Sequence, residues 1–471
     1  MTVLAQWFSP QPRRDDSAPQ SRIYQRLANW LMVAGIILLT VNSARIVYRS
    51  IYSEKPFVDE IILTRDWMIF FKAVLEFRKG EITQLGYWVH GSGIAGSGLG
   101  GAVFSLGGDL LYSRVVVSVI VALTAVLIGV LLFRRWSIGL LPALFGPCLI
   151  WGATITTPFA LPYWLGFTYN LGEFPGTLWI GLGLVCAARR PRLAALCWGV
   201  AAWHTRLMLL PVPLLLTFVS AFTIPGPLQA KGRQLTSLMS MFLLPLAAWL
   251  LICVLLFGVP EATKWLIATM SLLGFGSGAP QTITIHPATL LASSNNSFSL
   301  SHLISRLDDP HLEWSQGFYT LGTKLKVIIL SFGSVAVTLF GLYKQRPADR
   351  RPFTTLASVM LIVMVLAYTY WWFMLHPTMW MRHFQPALYI GLGLWIFWLL
   401  QLSLRFSLFD RPFFRWGAIA FVTAFVAWQA YFSWGISTRI SDFPTQWRCP
   451  ITNFVSGDGS DFPGFLVCKR N

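Results

Sequence analysis

Two adjacent carboxylates, Asp59 and Glu60, stand in the stretch VDEIILTRDW, shortly after the first long apolar run of the chain. A carboxylate at a lipid boundary could take the proton of an incoming hydroxyl group, provided that it lies within hydrogen-bond reach. The structural alternative is a helix cap, because acids at a helix start accept bonds from free backbone N–H groups and suit the helix dipole. Both interpretations stay open, and the first makes Asp59 a candidate general base with Glu60 as its companion.

Positive and imidazole side chains also stand at the edges of apolar runs. His204 and Arg206 occur in WHTRLMLLP, and Arg382 and His383 occur in RHFQP. The planar donor fork of arginine suits a phosphate group, so Arg206 and Arg382, with His383, are candidate ligands of a lipid phosphate. The alternative for both arginines is that they reach toward ordinary phospholipid headgroups.

Further candidates could contact a bound substrate. A carboxylate at the edge of hydrocarbon, such as Glu173 in LGEFP, is costly unless it is paired or used. Aromatic residues could stack on a sugar, although rings also collect at membrane interfaces for general reasons, and a single histidine is often structural. The candidate substrate contacts are Glu173, Tyr163, Tyr169 and His204, with Trp164, Trp371 and Trp372 as weaker ones. A divalent metal shared by Asp59, Glu60 and Glu173 is possible but not required, and we expect no other cofactor.

The composition indicates which kind of element must position these residues. Hydrophobic residues make up 55% of the 471, and charged residues make up only 12%, against about 25% in a soluble domain. Apolar windows of roughly 20 residues recur, which is the length that crosses a hydrocarbon core. The sequence therefore predicts an all-α polytopic membrane protein.

The net charge of +17 is explained by membrane orientation rather than by nucleic acid. The short loops assigned to one side hold half of the 36 Lys and Arg residues and only four of the 19 acidic ones. Cytoplasmic loops carry such an excess of Lys and Arg. We therefore expect the N-terminus in the cytoplasm, the C-terminus outside, membrane lipids around the chain and no nucleic-acid partner.

Hydropathy and loop charge together predict about eleven spans. They form one transmembrane domain, 1–432, with two long outer loops at 48–114 and 258–325, followed by a short outer tail, 433–471. Apolar residues between Ile61 and Leu75 recur near helical spacing, which predicts an interfacial helix in the first outer loop. The predicted spans are 29–47, 115–133, 138–157, 174–188, 193–205, 207–223, 236–257, 326–343, 354–373, 384–404 and 414–432, with the fifth and sixth short and broken around residues 204–206.

Two of the six cysteines, Cys449 and Cys468, lie in the tail. A disulfide between them in an oxidising compartment would close a loop of about 20 residues, worth roughly 3 kcal/mol in the chain-entropy account. The other four lie within predicted spans without metal-ligand spacing, so we expect them to be core residues. These four are Cys148, Cys186, Cys197 and Cys253.

These motifs together resemble the GT-C superfamily of integral-membrane glycosyltransferases, especially the bacterial relatives of protein O-mannosyltransferases and lipid A aminoarabinose transferases. The likeness rests on DE after the first span, DLLYSRVVVSVIVALTAVLIGVLLFRR, LGEFP, WHTRLMLLP and RHFQP. It covers residues 25–400 in arrangement. It departs from the family at His204-Thr205-Arg206, where Lys is commoner, and in the short tail.

The resemblance implies a polyprenyl-phosphate-linked sugar donor, a hydroxyl acceptor on a glycan, lipid or protein, and inverting displacement on the outer face of a bacterial inner membrane. It implies that Asp59 is the catalytic acid position and that Arg206 and Arg382 contact the donor phosphate. Two alternatives stay open: an enzyme of the O-antigen ligase or polymerase type, which relies on Arg and His, and a lipid or solute transporter without transferase activity.

Overall fold

The computed structural model describes residues 173–260 except 206, then 321–345, 351–375 and 381–406, together with a small number of residues elsewhere. This part of the chain is almost entirely helical. In chain order its helices are α1 (Glu173–Ala187), α2 (Pro191–His204), α3 (Pro211–Phe222), α4 (Leu228–Phe257), α5 (Leu321–Lys344), α6 (Pro352–Tyr370) and α7 (Met381–Arg405). A 3₁₀ turn (Leu207–Leu209) separates α2 from α3, and a π-helical turn (Trp371–Leu375) follows α6.

Four stretches within these helices are long and apolar enough to cross a membrane: Leu228–Leu255, Val327–Lys344, Pro352–Met374 and Pro386–Ser403. They match the predicted spans 236–257, 326–343, 354–373 and 384–404. Large apolar side chains on α4 are exposed, among them Leu243, Leu244, Leu251 and Leu255. Such a surface is expected where lipid tails, rather than water, surround a helix. The chain is thus a helical membrane protein.

The predicted spans 174–188, 193–205 and 207–223 correspond to the shorter helices α1, α2 and α3. With 14 and 12 residues, α2 and α3 extend about 21 Å and 18 Å at 1.5 Å per residue, less than a hydrocarbon core of about 30 Å. The pair is a helical hairpin whose turn is the predicted break. Predicted span 138–157, and most of the spans 29–47, 115–133 and 414–432 and of both long outer loops, lie outside the described residues.

The helices pack as two groups in contact. In the first, α2 packs against α1, α3 and α4, and in the second α5, α6 and α7 pack on one another. Contacts of α3 with α6 and of α1 with α7 join the groups. One core results, and its largest fully buried side chains are Trp198, Trp372, Phe242 and Phe384.

Glycine allows α5 and α7 to approach closely. A Cβ at Gly341 would overlap the indole of Trp398, and a Cβ at Gly391 would lie 3.2 Å from the Ser334 hydroxyl oxygen. From the second contact to the first, α5 advances from Ser334 to Gly341 and α7 from Gly391 to Trp398. Both chains move seven residues in the same direction, so α5 and α7 run parallel. Small residues of this kind are common where membrane helices pack, because close backbone approach increases the packing contacts between them.

The tail contributes one described element, a pair of two-residue strands. β1 (Trp447–Arg448) pairs antiparallel with β2 (Lys469–Arg470), with Trp447 opposite Arg470 and Arg448 opposite Lys469. Cys449 and Cys468, the predicted disulfide partners, lie outside the described residues and directly follow β1 and precede β2 in the sequence.

Candidate functional site

The break between α2 and α3 follows from two prolines. Pro211 and Pro213 have no N–H group, so the start of α3 cannot donate helical bonds to the carbonyls of Leu207 and Leu209. Helix α2 ends at His204, a 3₁₀ turn takes residues 207–209, and α3 begins at Pro211. Three-ten turns are frequent as connectors of this kind. The prolines therefore explain why regular helix does not resume directly after position 206, while α2 itself ends before it.

Helix α1 lies directly against this break at Gly176. A Cβ at that position would overlap the side chains of both Leu209 and Thr205. The Thr205 hydroxyl, itself buried, donates to the carbonyl of Ala201 in the last turn of α2. Only glycine lets α1 come this close, and Glu173, the first residue of α1, lies one helical turn before the contact.

Helix α6 contacts the break from the other helix group. The Tyr368 hydroxyl donates a 2.6 Å hydrogen bond to the carbonyl oxygen of Met208, which is in the 3₁₀ turn. The Tyr368 side chain is buried. This bond joins residues 160 positions apart in the chain, and it fixes the end of α6 beside the turn.

The end of α6 also touches the start of α7. The rings of Trp372, in the π-helical turn, and Phe384, in the first turn of α7, lie 4.7 Å apart between centroids. Both side chains are completely buried. Arg382 and His383 immediately precede Phe384 in α7, so the backbone that carries them belongs to the same end of the bundle as the α2–α3 break. We call this region the break end.

The opposite end of the bundle is basic. It is formed by the α1–α2 turn, the start of α4, the end of α5, the start of α6 and the end of α7. Described basic residues there include Arg189, Arg190, Arg192, Lys231, Arg233, Lys344, Arg351 and Arg405. Lys324, Lys326 and Arg382 instead belong to the helix starts at the break end. Glu173, at the break end, is the one acidic residue in the described part of the chain. Most of the described basic residues therefore lie at one end of the folded bundle, in line with the charge bias of the loops.

His204 uses one of its nitrogens inside the protein. Its Nε2 lies 2.9 Å from the carbonyl oxygen of Pro245 in α4, and its ring stands edge-on to Trp249 with centroids 6.0 Å apart. A carbonyl can only accept, so Nε2 carries the proton and Nδ1 is the acceptor nitrogen. The imidazole is buried, and this arrangement favours the structural interpretation of His204. A substrate contact, if there is one, would have to involve Nδ1.

The other predicted site residues differ in how far the structure describes them. The helices bring the backbones of Glu173, Arg382 and His383 to the break end, while their side chains lie outside the description. Arg206 itself is outside the described residues, but both of its chain neighbours are within them. Trp372 is a core residue packed on Phe384, and Trp371 beside it is partly buried. Asp59, Glu60, Tyr163, Trp164 and Tyr169 lie outside the described residues.

Sequence reasoning missed Gly176 and Tyr368. Gly176 follows the LGEFP motif, where its position just inside a helix could have suggested a close contact. Tyr368, in the apolar run AYTYWW, carries no local signal, because its partner is far away in the sequence. Within the described residues, no three His, Cys, Asp or Glu side chains come together as a metal site.

The break end brings the backbone of Arg382, from one helix group, and that of Glu173, from the other, to the same region as the turn that contains residue 206. The fold around these residues defines a helical membrane protein with a broken helix hairpin. Comparisons with known proteins found no match, whether to a family model, a curated protein or a solved structure.

Proposed function

We propose that this chain is a membrane glycosyltransferase of the GT-C kind, which moves a sugar from a polyprenyl-phosphate donor to a hydroxyl acceptor. In this proposal it has about eleven spans in a bacterial inner membrane, a cytoplasmic N-terminus and a periplasmic C-terminus. The reaction takes place at the outer surface, which is the break end, and the basic end faces the cytoplasm.

The main support is the convergence of two separate arginine-bearing segments on one end of the bundle. The hydrogen bond from Tyr368 to Met208 joins the end of α6 to the break that contains Arg206. The ring contact between Trp372 and Phe384 joins the same end of α6 to the start of α7. A phosphate bound between the two helix groups would accept hydrogen bonds from side chains of both. Arginine suits this role because its guanidinium group can donate two parallel hydrogen bonds to a phosphate.

The proposed chemistry is a single inverting displacement. Asp59 removes the proton from the acceptor hydroxyl as its oxygen attacks the anomeric carbon, with Glu60 beside the base. The bond from that carbon to the phosphate oxygen breaks, and the polyprenyl phosphate leaves with the bonding electrons. Arg206 and Arg382, with His383, stabilise the negative charge that develops on the leaving phosphate, which is worth most where water is excluded.

The sugar would lie between the phosphate and the base. In the proposal its contacts are Glu173, Tyr163, Tyr169 and the Nδ1 nitrogen of His204. No metal is required, because the arginines supply the charge that a divalent ion would otherwise provide.

The deciding experiment incubates the purified protein with a panel of polyprenyl-phosphate sugars and follows donor consumption. Arg382→Lys keeps the positive charge but loses the two-point geometry of guanidinium on phosphate, so we expect consumption to fall at least about tenfold. Arg405→Lys is the matched control, since Arg405 lies at the other end of the same helix, and it should not change the rate. Equal losses in both variants would contradict a phosphate role for Arg382.

The alternatives give different outcomes in the same assay. Transfer that survives Asp59→Asn but is abolished by His383→Ala would indicate an enzyme of the ligase or polymerase type. A protein that moves the lipid-linked sugar between leaflets without consuming it would be a transporter. Donor consumption by the unmodified chain separates the two enzyme classes from the transporter.

A further inference from the structure

The carbonyl of Met208 lies at a point where the helix ladder is interrupted. It belongs to the 3₁₀ turn Leu207–Leu209, and the next helix, α3, begins only at Pro211. A backbone carbonyl buried away from water costs free energy unless it finds a partner. Within a membrane this requirement is stricter, because lipid offers no hydrogen bonds.

Tyr368 supplies that partner from another helix. Its hydroxyl donates to the Met208 carbonyl oxygen over 2.6 Å, and its ring is buried against the core. The neighbouring Thr369 differs, because its hydroxyl donates to Val365 within its own helix at 2.6 Å. The Tyr368 hydroxyl therefore stabilises the 3₁₀ turn, whereas the Thr369 hydroxyl bonds only to a carbonyl of its own helix, α6.

The chain on both sides of position 206 is held by neighbouring helices. Before Arg206, Thr205 is buried and packed beneath Gly176 of α1. After it, the turn is held through the Met208 carbonyl by Tyr368. The described chain is thus held by α1 before position 206 and by α6 after it.

We propose that Tyr368 is a positioning residue for donor binding: its hydroxyl holds the α2–α3 break so that Arg206 is presented to the donor phosphate. This inference rests on the proposed function for the identity of the ligand. Tyr368 itself does not touch the substrate, since its hydroxyl is already bonded to the protein and its ring is buried. It acts through the backbone of the turn.

The first test needs no activity. Amide hydrogen exchange, followed by mass spectrometry on peptides covering 201–210, compares the unmodified protein with Tyr368→Phe and with the control Thr369→Val. We expect Tyr368→Phe to speed exchange in the turn about tenfold, because the lost bond lowers the free energy of local opening. Thr369→Val should leave that peptide unchanged. Equal exchange in the unmodified protein and Tyr368→Phe would overturn the proposal.

The second test uses the donor. Tyr368→Phe should raise the KM for the polyprenyl-phosphate sugar about tenfold, as expected for the loss of one partly buried hydrogen bond, with little change in kcat. In an Arg206→Ala background the same change should have almost no further effect, because the two residues act as one unit. Independent, multiplicative effects would show that Tyr368 does not act through Arg206 and would overturn the proposal.

The two tests separate the possible failures. If the unmodified protein consumes no donor, the proposed function is refuted, and this measurement requires no variant. The exchange measurement then still decides whether Tyr368 holds the break. Faster exchange with an unchanged KM would overturn the role of Tyr368 in donor binding while leaving the glycosyltransferase proposal intact.

Discussion

The Nε2–H of His204, the last residue of α2, donates to the carbonyl of Pro245 inside α4, 2.9 Å away. The contact joins a helix end to the middle of the longest described helix. We expect His204→Ala to lower the free energy of unfolding by about 2–4 kcal/mol, because it removes a buried hydrogen bond and leaves a cavity beside Trp249.

Thermal unfolding in detergent measures this effect. His204→Gln provides the control, since its amide can still donate and should recover part of the loss. If His204→Ala instead kept its unfolding temperature and lost donor binding, the imidazole would be a ligand and the structural interpretation would be wrong.

The close approach of α1 to the break gives a second prediction. Gly176→Ala should destabilise the protein by about 1–3 kcal/mol, because the new methyl group overlaps Leu209 and Thr205 in a packed interior. The matched control is Gly232→Ala in α4, where a Cβ meets nothing within 4 Å. That change should be neutral or stabilise by up to about 1 kcal/mol through helix propensity. Equal unfolding temperatures for the two variants would contradict the described packing at Gly176.

The tail offers a covalent prediction. The antiparallel register pairs Trp447 with Arg470 and Arg448 with Lys469, and its continuation by one residue would set Cys449 opposite Cys468. Opposed residues of antiparallel strands have Cα atoms about 4.5–5.5 Å apart, within the range that a disulfide spans. We expect these two thiols to be joined in the periplasm, where a disulfide-carrying oxidase would accept their two electrons and two protons.

Alkylation of unreduced protein followed by peptide mass spectrometry tests the bridge. The buried cysteines Cys186, Cys197 and Cys253, which form no disulfide, serve as the internal control, because they should react as thiols only after unfolding. Alkylated Cys449 and Cys468 in freshly purified protein would refute the pairing.

The orientation of the bundle is testable by labelling single cysteines in intact cells. Positions near 290 and 440 should react with a membrane-impermeant reagent, whereas a cysteine at the exposed position of Arg351, at the basic end, should not. The reason is that basic loops stay in the cytoplasm. Permeabilised cells give the control for reactivity at 351. Labelling of that position in intact cells would reverse the proposed topology.

The general-base hypothesis gives the final prediction. Asp59→Asn keeps nearly the same volume, and asparagine caps a helix as well as aspartate does. It cannot take a proton from a hydroxyl group near neutral pH. Sugar transfer should therefore fall by at least about 10²-fold, while yield and unfolding temperature hold. Transfer at the unmodified rate would leave the acid pair as a helix cap.

Much of the described helical arrangement could be predicted from local sequence. Runs of apolar residues predict the long segments 228–255, 327–344, 352–374 and 386–403, because crossing a membrane requires both apolar side chains and internally bonded backbone. The prolines at 211 and 213 predict where α2 and α3 separate, since a missing N–H group is a property of one residue. The basic loops predict that charge collects at one end.

The tertiary structure decided which of these segments meet. Nothing in the residues around Tyr368 indicates that its hydroxyl bonds to Met208, 160 residues earlier, and nothing near Gly176 indicates that its missing side chain makes room for Leu209. Such contacts depend on how whole helices are oriented and shifted along one another, which many weak packing interactions determine together. The sequence by itself therefore determined the helices, the break and the polarity of the bundle. Only the packing of α1, α6 and α7 around the break decided that the backbones of Glu173, Arg382 and His383 lie at the same end as the turn that carries Arg206.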